Sequence, residues 1–270
     1  MTEREYNNAE GIRRSDLWLM NDSPEKFKYH MDNPEDEDEK TPALIFGSAA
    51  HKWILEPTDW ESEYVIAPAI NRLTKAGKEE WAQFLAENSG KTVITQKDFD
   101  LMNDMANALM SHALASEMIT GQHEVPIFWT DPDTGEKCKC KADTVKLIDG
   151  RYVVVDYKTA RDAGTEKFNN GMFSKGYHVQ AAMYTEGIQT SLGLDYRPEF
   201  YFVVQEKAAP YAVNVIQVSE DVMRFGDAVY HELLRKYHEC NAVDIWPGYV
   251  DDVPNETTLP GWYALEEEDE

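Results

Sequence analysis

Two aspartates and a lysine are placed by their spacing on one face of a predicted β-hairpin. Asp149-Gly150 separates two alternating runs, 137–147 and 152–159, and this arrangement predicts a two-residue turn. With that turn, Asp143 lies directly opposite Asp156, and Lys158 follows on the same face. Because like charges in opposed positions are destabilising, the two carboxylates predict a cation between them.

Mg²⁺, with Mn²⁺ as a substitute, suits a site of few carboxylate oxygens that is completed by water and phosphate. The ammonium of Lys158 beside such an ion would orient a water molecule or offset charge on the phosphate. The alternative is a half-exposed hairpin whose acidic side chains are screened by lysines. From spacing alone, this alternative is favoured.

The elements that position the hairpin begin with a predicted helical portion, residues 1–120. A cap at Ser15 predicts a helix over 16–20, and Ser23-Pro24 predicts the start of the next one. Apolar spacing predicts further helices over 42–55 and 97–119. We expect a single domain over 1–270, in which a C-terminal tail, 241–270, follows the catalytic core.

Residues 121–240 predict that core, with three strands, a helix, two strands and a helix in chain order. The pattern predicts an α/β (α+β) fold with a mixed central sheet flanked by helices. The predicted elements are strands at 124–129, 137–147 and 152–159, a helix at 178–192, strands at 197–205 and 211–218, and a helix at 219–239.

The composition limits the partners and the compartment. The formal net charge of −24 repels phosphate and favours a non-DNA role or a protein that mimics DNA, although acidic runs at 35–39 and 266–270 concentrate part of it. No apolar run is long enough to span a bilayer, and the N-terminus is polar, which predicts neither membrane association nor a signal peptide. The three cysteines are too few for a disulfide framework and favour a reducing cytoplasm.

Two further pairs of residues share helical faces. Gly47 and His51 are four residues apart, so the glycine lets the helix approach closely while His51 projects as a third metal ligand. The alternative for His51 is an ordinary core histidine. Gln180 and Tyr184 have the same spacing and would contact the DNA backbone or steady the lysine. The alternative for them is a buried polar pair.

Together these motifs resemble the PD-(D/E)XK nuclease superfamily in its RecB-like form. Asp143 followed by Asp156-Tyr157-Lys158 corresponds to the signature, with the Gly-x-x-x-His element upstream and the Gln-x-x-x-Tyr element downstream. Across nearly the whole chain, the sequence resembles the RecE-type exonucleases (exonuclease VIII nuclease domain). Supporting stretches are Phe46 to His51, Leu55-Glu56-Pro57, Ala76 to Glu80, Gly90 to Thr95, Cys138 to Asp143 and Tyr177 to Gln180.

The resemblance implies a mechanism and partners. His51, Asp143, Asp156 and the Tyr157 carbonyl would bind Mg²⁺, and Lys158 would assist the attacking water; Glu124 matches a family acidic position and is a secondary candidate. The reaction would be hydrolysis of linear duplex DNA from 5′ ends, leaving 3′ tails for recombination. A homo-oligomeric ring and a RecT-type single-strand annealing protein are also implied.

Basic residues that would pair with DNA phosphates are Arg72, Lys75, Lys78, Lys139, Lys141, Lys167 and Lys175. The alternative for the first three is a solvated helix face.

Three rival interpretations remain at this point. A nuclease with an iron–sulfur cluster needs four cysteines, so we expect none here. A site-specific or structure-specific endonuclease would use the same core. An acidic DNA mimic fits the charge but not the ordered His, Asp, Asp and Lys set.

Overall fold

The N-terminal part of the chain is mostly helical. The structure, a computed structural model, describes residue 1 and residues 3–33, 41–249 and 256. The acidic runs at 35–39 and 266–270, and most of the predicted tail, lie outside the described residues. The first elements are α1 (Glu3–Asn8), α2 (Arg14–Asp22), α3 (Pro24–Asp32), α4 (Pro42–Leu55), α5 (Trp60–Glu63), β1 (Tyr64–Ile66), α6 (Lys75–Glu87), β2 (Thr92–Ile94), α7 (Gln96–Ser111) and α8 (Ala113–Met118).

Helix caps account for most of the boundaries here. Ser23 accepts a hydrogen bond from the backbone N–H of Lys26, which confirms the predicted start of α3. The prediction of a cap at Ser15 is wrong, because α2 begins at Arg14, two residues before the predicted start at Asp16. The carboxylate of Asp16 accepts hydrogen bonds from the backbone N–H and the guanidinium of Arg13. The predicted helix over 97–119 is divided at His112, whose ring caps α8.

A five-stranded mixed sheet forms the centre of the described structure. Its strands are β3 (Gln122–Thr130), β4 (Lys137–Ile148), β5 (Arg151–Ala160), β6 (Glu199–Glu206) and β7 (Val213–Gln217), in that spatial order. β5 and β6 are parallel, and the other neighbours are antiparallel. The helices α9 (Thr165–Ser174), α10 (Tyr177–Leu192) and α11 (Glu220–Val243) complete the core. The predicted α/β fold with a mixed sheet is confirmed, with α9 as an additional helix.

The sheet is covered on both faces, which fixes where its charged side chains can lie. One face packs on α10, α11 and α2 through the largest apolar cluster, which includes Val154 and Phe202. The other face packs on α4 and α8 through a second cluster, which includes Val155 and Val203. Alternate residues of β5 therefore enter different cores. Polar groups on β5 must find partners inside the protein or in a cleft.

Candidate active site

The hairpin β4–β5 opens at the end opposite its turn. The turn is formed by Asp149-Gly150, and the strands pair in the predicted register from Ile148–Arg151 to Thr144–Val155. Asp143 and Asp156 come next, where this pairing has ended. There the backbone N–H of Tyr157 donates to Oδ2 of Asp143 over 2.9 Å. The carboxylate of Asp143 thus lies between the separating strands.

Helix α4 places His51 against this carboxylate. The Nε2 of His51 lies 2.8 Å from Oδ2 of Asp143, and its Nδ1 lies 3.5 Å from Oε1 of Glu124. A Cβ atom added to Gly47 would lie 4.0 Å from Oγ1 of Thr159, in ordinary contact. The helix is therefore close to β5, but an alanine would also fit at Gly47, and a larger side chain would enter the cleft.

Glu124 lies at the centre of the cluster, although the sequence ranked it second. It has a φ of 50°, which is uncommon for a residue with a side chain, and it lies within β3 beside Asp143. Its Oε2 lies 2.5 Å from Nζ of Lys141, with which it forms an ion pair. Potential ligand atoms of His51, Glu124 and Asp143 all lie within 4.8 Å of one another. Strained backbone at such a cluster is a common feature of functional sites.

Asp156 is the most deeply buried member of the site. It is 1% exposed, and its Oδ1 accepts a 2.5 Å hydrogen bond from Nε2 of Gln180 on α10. Its Oδ2 lies 2.7 Å from Nζ of Lys158, which is the next residue on the same face of β5. The structure thus places Gln180 as a partner of the carboxylate rather than of the lysine.

Burial and neighbouring charges shift the pKa values of the two aspartates in opposite directions. Burial alone would raise the pKa of Asp143, but His51, Lys158 and the Tyr157 N–H lower it to about 2. Burial and the charge of Asp143 raise the pKa of Asp156 to about 6, against the opposing effect of Lys158. Burial lowers the pKa of Lys158, but the two aspartates outweigh it and raise that pKa. Lys158 is therefore an ammonium at neutral pH.

An open cleft of about 590 Å³ gives access to these groups. His51, Glu124, Asp143 and Lys158 line it, as does Tyr177. The ammoniums of Lys158 and Lys175 lie 5.0 Å and 5.7 Å from the centre of the Tyr177 ring. Sequence reasoning assigned no role to Tyr177. Its position three residues before Gln180, on the same helical face, was the available signal.

The side chains of two predicted site residues, Tyr157 and Tyr184, make their contacts in the protein interior. The hydroxyl of Tyr157 donates to Oε1 of Gln205 over 2.8 Å, and Nε2 of Gln205 donates to the carbonyl of Met105, which anchors β5. Tyr184 packs its ring against Phe200 in the core, with centroids 6.5 Å apart. Burial raises the pKa of Tyr184 well above its usual value. Tyr184 therefore packs α10 against β6.

The predicted DNA-binding residues fall into separate groups. Lys139 is 3% exposed, and its ammonium donates to the carbonyls of Tyr6, Asn7 and Ala9, so the prediction that it contacts DNA is wrong. Lys141 lines the cleft but pairs with Glu124. The remaining five are exposed: Arg72, Lys75, Lys78, Lys167 and Lys175.

Arg72 stacks on Trp81 at 4.5 Å, and Lys75 lies 3.9 Å from Glu79, as expected for a solvated helix face.

Cys138 and Cys140 pack in the main core as free thiols, and burial raises the pKa of Cys138 to about 12. Both thiols are therefore poor metal ligands here.

The donor set fits a divalent cation. Two carboxylates and an imidazole, those of Glu124, Asp143 and His51, are gathered at one point of the cleft. A third carboxylate, Asp156, lies close enough for the charge of Asp143 to raise its pKa. The raised pKa of Asp156 shows that Lys158 alone does not balance the negative charges of Asp143 and Asp156. A divalent ion would supply that charge.

Comparison with known proteins agrees with this geometry. Residues 14–254 match the family described as PDDEXK-like domain of unknown function (DUF3799). No curated protein matches the chain. A crystal structure from Eubacterium rectale, of a protein provisionally designated an exonuclease, has 17% identity and a TM-score of 0.60, and the match covers 90% of this chain and 87% of that one. A second structure, of SSO0001, has 13% identity and a TM-score of 0.38 over 87% of this chain and 81% of that one, too low to support an argument.

The family match spans most of the chain, so the protein belongs to this PDDEXK-like family. The family and the fold, together with the cluster of carboxylates and histidine, support a metal-dependent nuclease. Among the described residues, no helix is both long enough and apolar enough to cross a membrane.

Proposed function

We propose that the protein is a Mg²⁺-dependent exonuclease that resects linear double-stranded DNA from 5′ ends and leaves 3′ single-stranded tails. The observation that carries the proposal is the meeting of His51, Asp143, Asp156 and Lys158 at the open end of one hairpin. The neighbour from Eubacterium rectale, designated an exonuclease, adds support at the level of the fold. Mn²⁺ would substitute for Mg²⁺ in a site of this kind.

His51, Asp143 and Asp156 would hold the ion, with Glu124 as a further ligand. The carbonyl of Tyr157 would also be a suitable ligand. The N–H and the carbonyl of a strand residue point to the same neighbouring strand, and the N–H of Tyr157 points to Asp143 on β4. When bound, a divalent ion activates water and stabilises charge on the phosphate.

Lys158 contributes a positive charge rather than a base. Its raised pKa keeps it an ammonium, and its contact with Asp156 fixes its position at the edge of the cleft. An ammonium held there can orient a water molecule and stabilise the pentavalent phosphate as negative charge develops. Gln180 holds Asp156 in turn, so it is a positioning residue.

The shape of the cleft favours a strand end as substrate. A volume of about 590 Å³ is that of a small-molecule site. A terminal nucleotide would fit there. Tyr177 offers an aromatic ring beside two ammoniums, a combination suited to a base and its phosphate.

The net charge of −24 is accommodated if the acidic surface faces away from DNA. A homo-oligomeric ring around the duplex would achieve this, with Lys175 and Lys167 towards the DNA and acidic residues outside. A RecT-type annealing protein would then receive the 3′ tail. Both partners follow from the resemblance to RecE-type exonucleases.

Digestion of end-labelled DNA tests the proposal. Linear duplex labelled at either the 5′ or the 3′ end is incubated with the protein and Mg²⁺, beside covalently closed circular duplex. We expect early release of the 5′ label as short products, slow loss of the 3′ label, and an intact circle. Cutting of the circle would show an endonuclease, and early release of the 3′ label would reverse the polarity.

A further inference from the structure

A second group of acidic and histidine side chains lies at the other end of β3 from the active site. Asp131 begins the turn between β3 and β4, Glu186 lies on α10, and His231 lies on α11. Potential ligand atoms of these three residues lie within 4.8 Å of one another. The chain between Glu124 and Asp131 spans roughly 20 Å as a strand, so the two clusters are separate.

Asp131 has an unused oxygen in a buried position. The residue is 1% exposed. Its Oδ2 accepts hydrogen bonds from the backbone N–H and the hydroxyl of Thr134, at 2.7 Å and 2.6 Å. In the part of the chain that the structure describes, its Oδ1 is buried and has no hydrogen-bond partner. A buried carboxylate oxygen left in this way is costly unless an ion or a proton donor binds it.

Glu186 also has one carboxylate oxygen without a partner, because His231 contacts only the other one. Nε2 of His231 lies 2.9 Å from Oε2 of Glu186. Oε1 of Glu186 is buried without a partner among the described residues. One imidazole proton therefore serves one oxygen, and it leaves Oε1 of Glu186 and Oδ1 of Asp131 unpaired.

The local charges leave room for a cation. A third carboxylate, Asp227, pairs with Arg197 over 2.6 Å, so this arginine is already engaged. Asp131 and Glu186 then face the imidazole of His231. Cys138 lies nearby and remains a neutral thiol, because burial raises its pKa to about 12.

We propose that Asp131, Glu186 and His231 bind one Zn²⁺ ion. A histidine nitrogen with two carboxylate oxygens is a donor set that Zn²⁺ accepts, and a water molecule would complete four ligands. The side chain of His231 is 34% exposed, which provides a route of entry. Because the ligands come from the β3–β4 turn, α10 and α11, the ion would join three elements and stabilise the folded state.

The first experiment separates this site from the active site. The full-length His51→Gln/Asp143→Asn variant is stripped with a chelator and titrated with Zn²⁺ by isothermal calorimetry. We expect one ion per chain, and a rise in Tm of roughly 5 °C or more when free Zn²⁺ is 100-fold above Kd. If this variant binds no Zn²⁺, the proposal is overturned, and a water molecule or a proton accounts for the cluster.

The second experiment assigns the ligands in the same background. Addition of His231→Gln should weaken Zn²⁺ binding by at least about 100-fold and abolish the shift in Tm. His238→Gln is the matched control, because His238 pairs with Glu136 at 2.8 Å on the same helix outside the proposed ligand set. Equal losses in the two variants, or retained binding in His231→Gln, would contradict the assignment.

A third variant guards against a folding defect in His231→Gln. Asp131→Asn retains an oxygen acceptor for Thr134 while removing the carboxylate. We expect it to keep the metal-free Tm within about 2 °C and to lose Zn²⁺ binding. Normal Zn²⁺ affinity in this variant would exclude Asp131 as a ligand and overturn the three-residue site.

Discussion

The hairpin formed by β4 and β5 differs in kind at its two ends. At the turn, Asp149 and Gly150 have φ values of 48° and 79°, and opposed residues pair regularly up to Thr144 and Val155. At the open end the pairing stops, and the carboxylate of Asp143 accepts from a backbone N–H. The turn end contributes register and stability, whereas the open end gathers charge. Chemistry is therefore expected where the ladder ends.

The largest effect should appear when an aspartate at the open end is replaced by asparagine, in comparison with the same replacement at the turn. Asp156→Asn removes a buried carboxylate that we propose to bind the metal, and it should lower the rate of hydrolysis of linear duplex DNA by about 1,000-fold. Asp149→Asn changes the same group at the turn, where Asn tolerates the left-handed conformation. Its rate should stay within about twofold of wild type. Equal losses in both variants would remove the distinction between the ends.

The next effect concerns the residue that holds Asp156. Gln180→Ala should reduce the rate by about 10–100-fold and raise the Mg²⁺ concentration needed for half-maximal activity, since it frees the ligand rather than removing it. Gln189→Ala, on the same helix, is the control. A fall in rate with no change in the Mg²⁺ requirement would indicate a structural role only.

The pH dependence of metal binding sharpens the comparison further. Because the pKa of Asp156 is raised in the folded protein, ionisation of Asp156 destabilises the metal-free protein as pH rises from about 4 through about 6. Metal binding offsets this loss of stability. The affinity for Mn²⁺, measured by calorimetry, should rise up to about tenfold per pH unit between pH 5 and 6. His51, whose pKa is raised by Asp143 against the effect of burial, should extend the rise above pH 6.5. A flat profile would contradict the buried pair.

The smallest effect on catalysis should come from the turn. Gly150→Ala places a side chain at a φ of 79° and should destabilise the protein by about 1 kcal/mol in denaturant unfolding, with an unchanged rate of hydrolysis. Gly171→Ala is the control, because this helical glycine has open space around it and should be neutral or stabilising. A loss of activity in Gly150→Ala would show that register at the turn reaches the site.

Local signals in the sequence predicted much of this arrangement. The Asp-Gly turn predicted the register of β4 and β5, and apolar spacing predicted the helix over 42–55 that carries His51. These features depend on neighbours along the chain. The match of His51 to Asp143 depended on a motif rather than on periodicity.

Contacts between distant segments explain what the sequence did not predict. The basic side chain of Lys139 predicted a contact with DNA phosphates, but its ammonium is bound by carbonyls at the end of α1, far away in sequence. Glu124 lies 3.5 Å from His51 at a point where the backbone of β3 departs from regular strand geometry. The paired strands β1 and β2 have three residues each, too few for a periodic signal.

Hydrolysis of linear duplex DNA by wild type and Lys158→Ala, in Mg²⁺ and in chelator, tests the central claim most directly. Lys146→Ala, on the same hairpin nearer the turn, is the control. The account predicts degradation by wild type and Lys146→Ala in Mg²⁺ alone, and a loss of at least about 100-fold in Lys158→Ala. Absence of degradation by wild type with Mg²⁺ or Mn²⁺, or equal rates for Lys158→Ala and wild type, would contradict it.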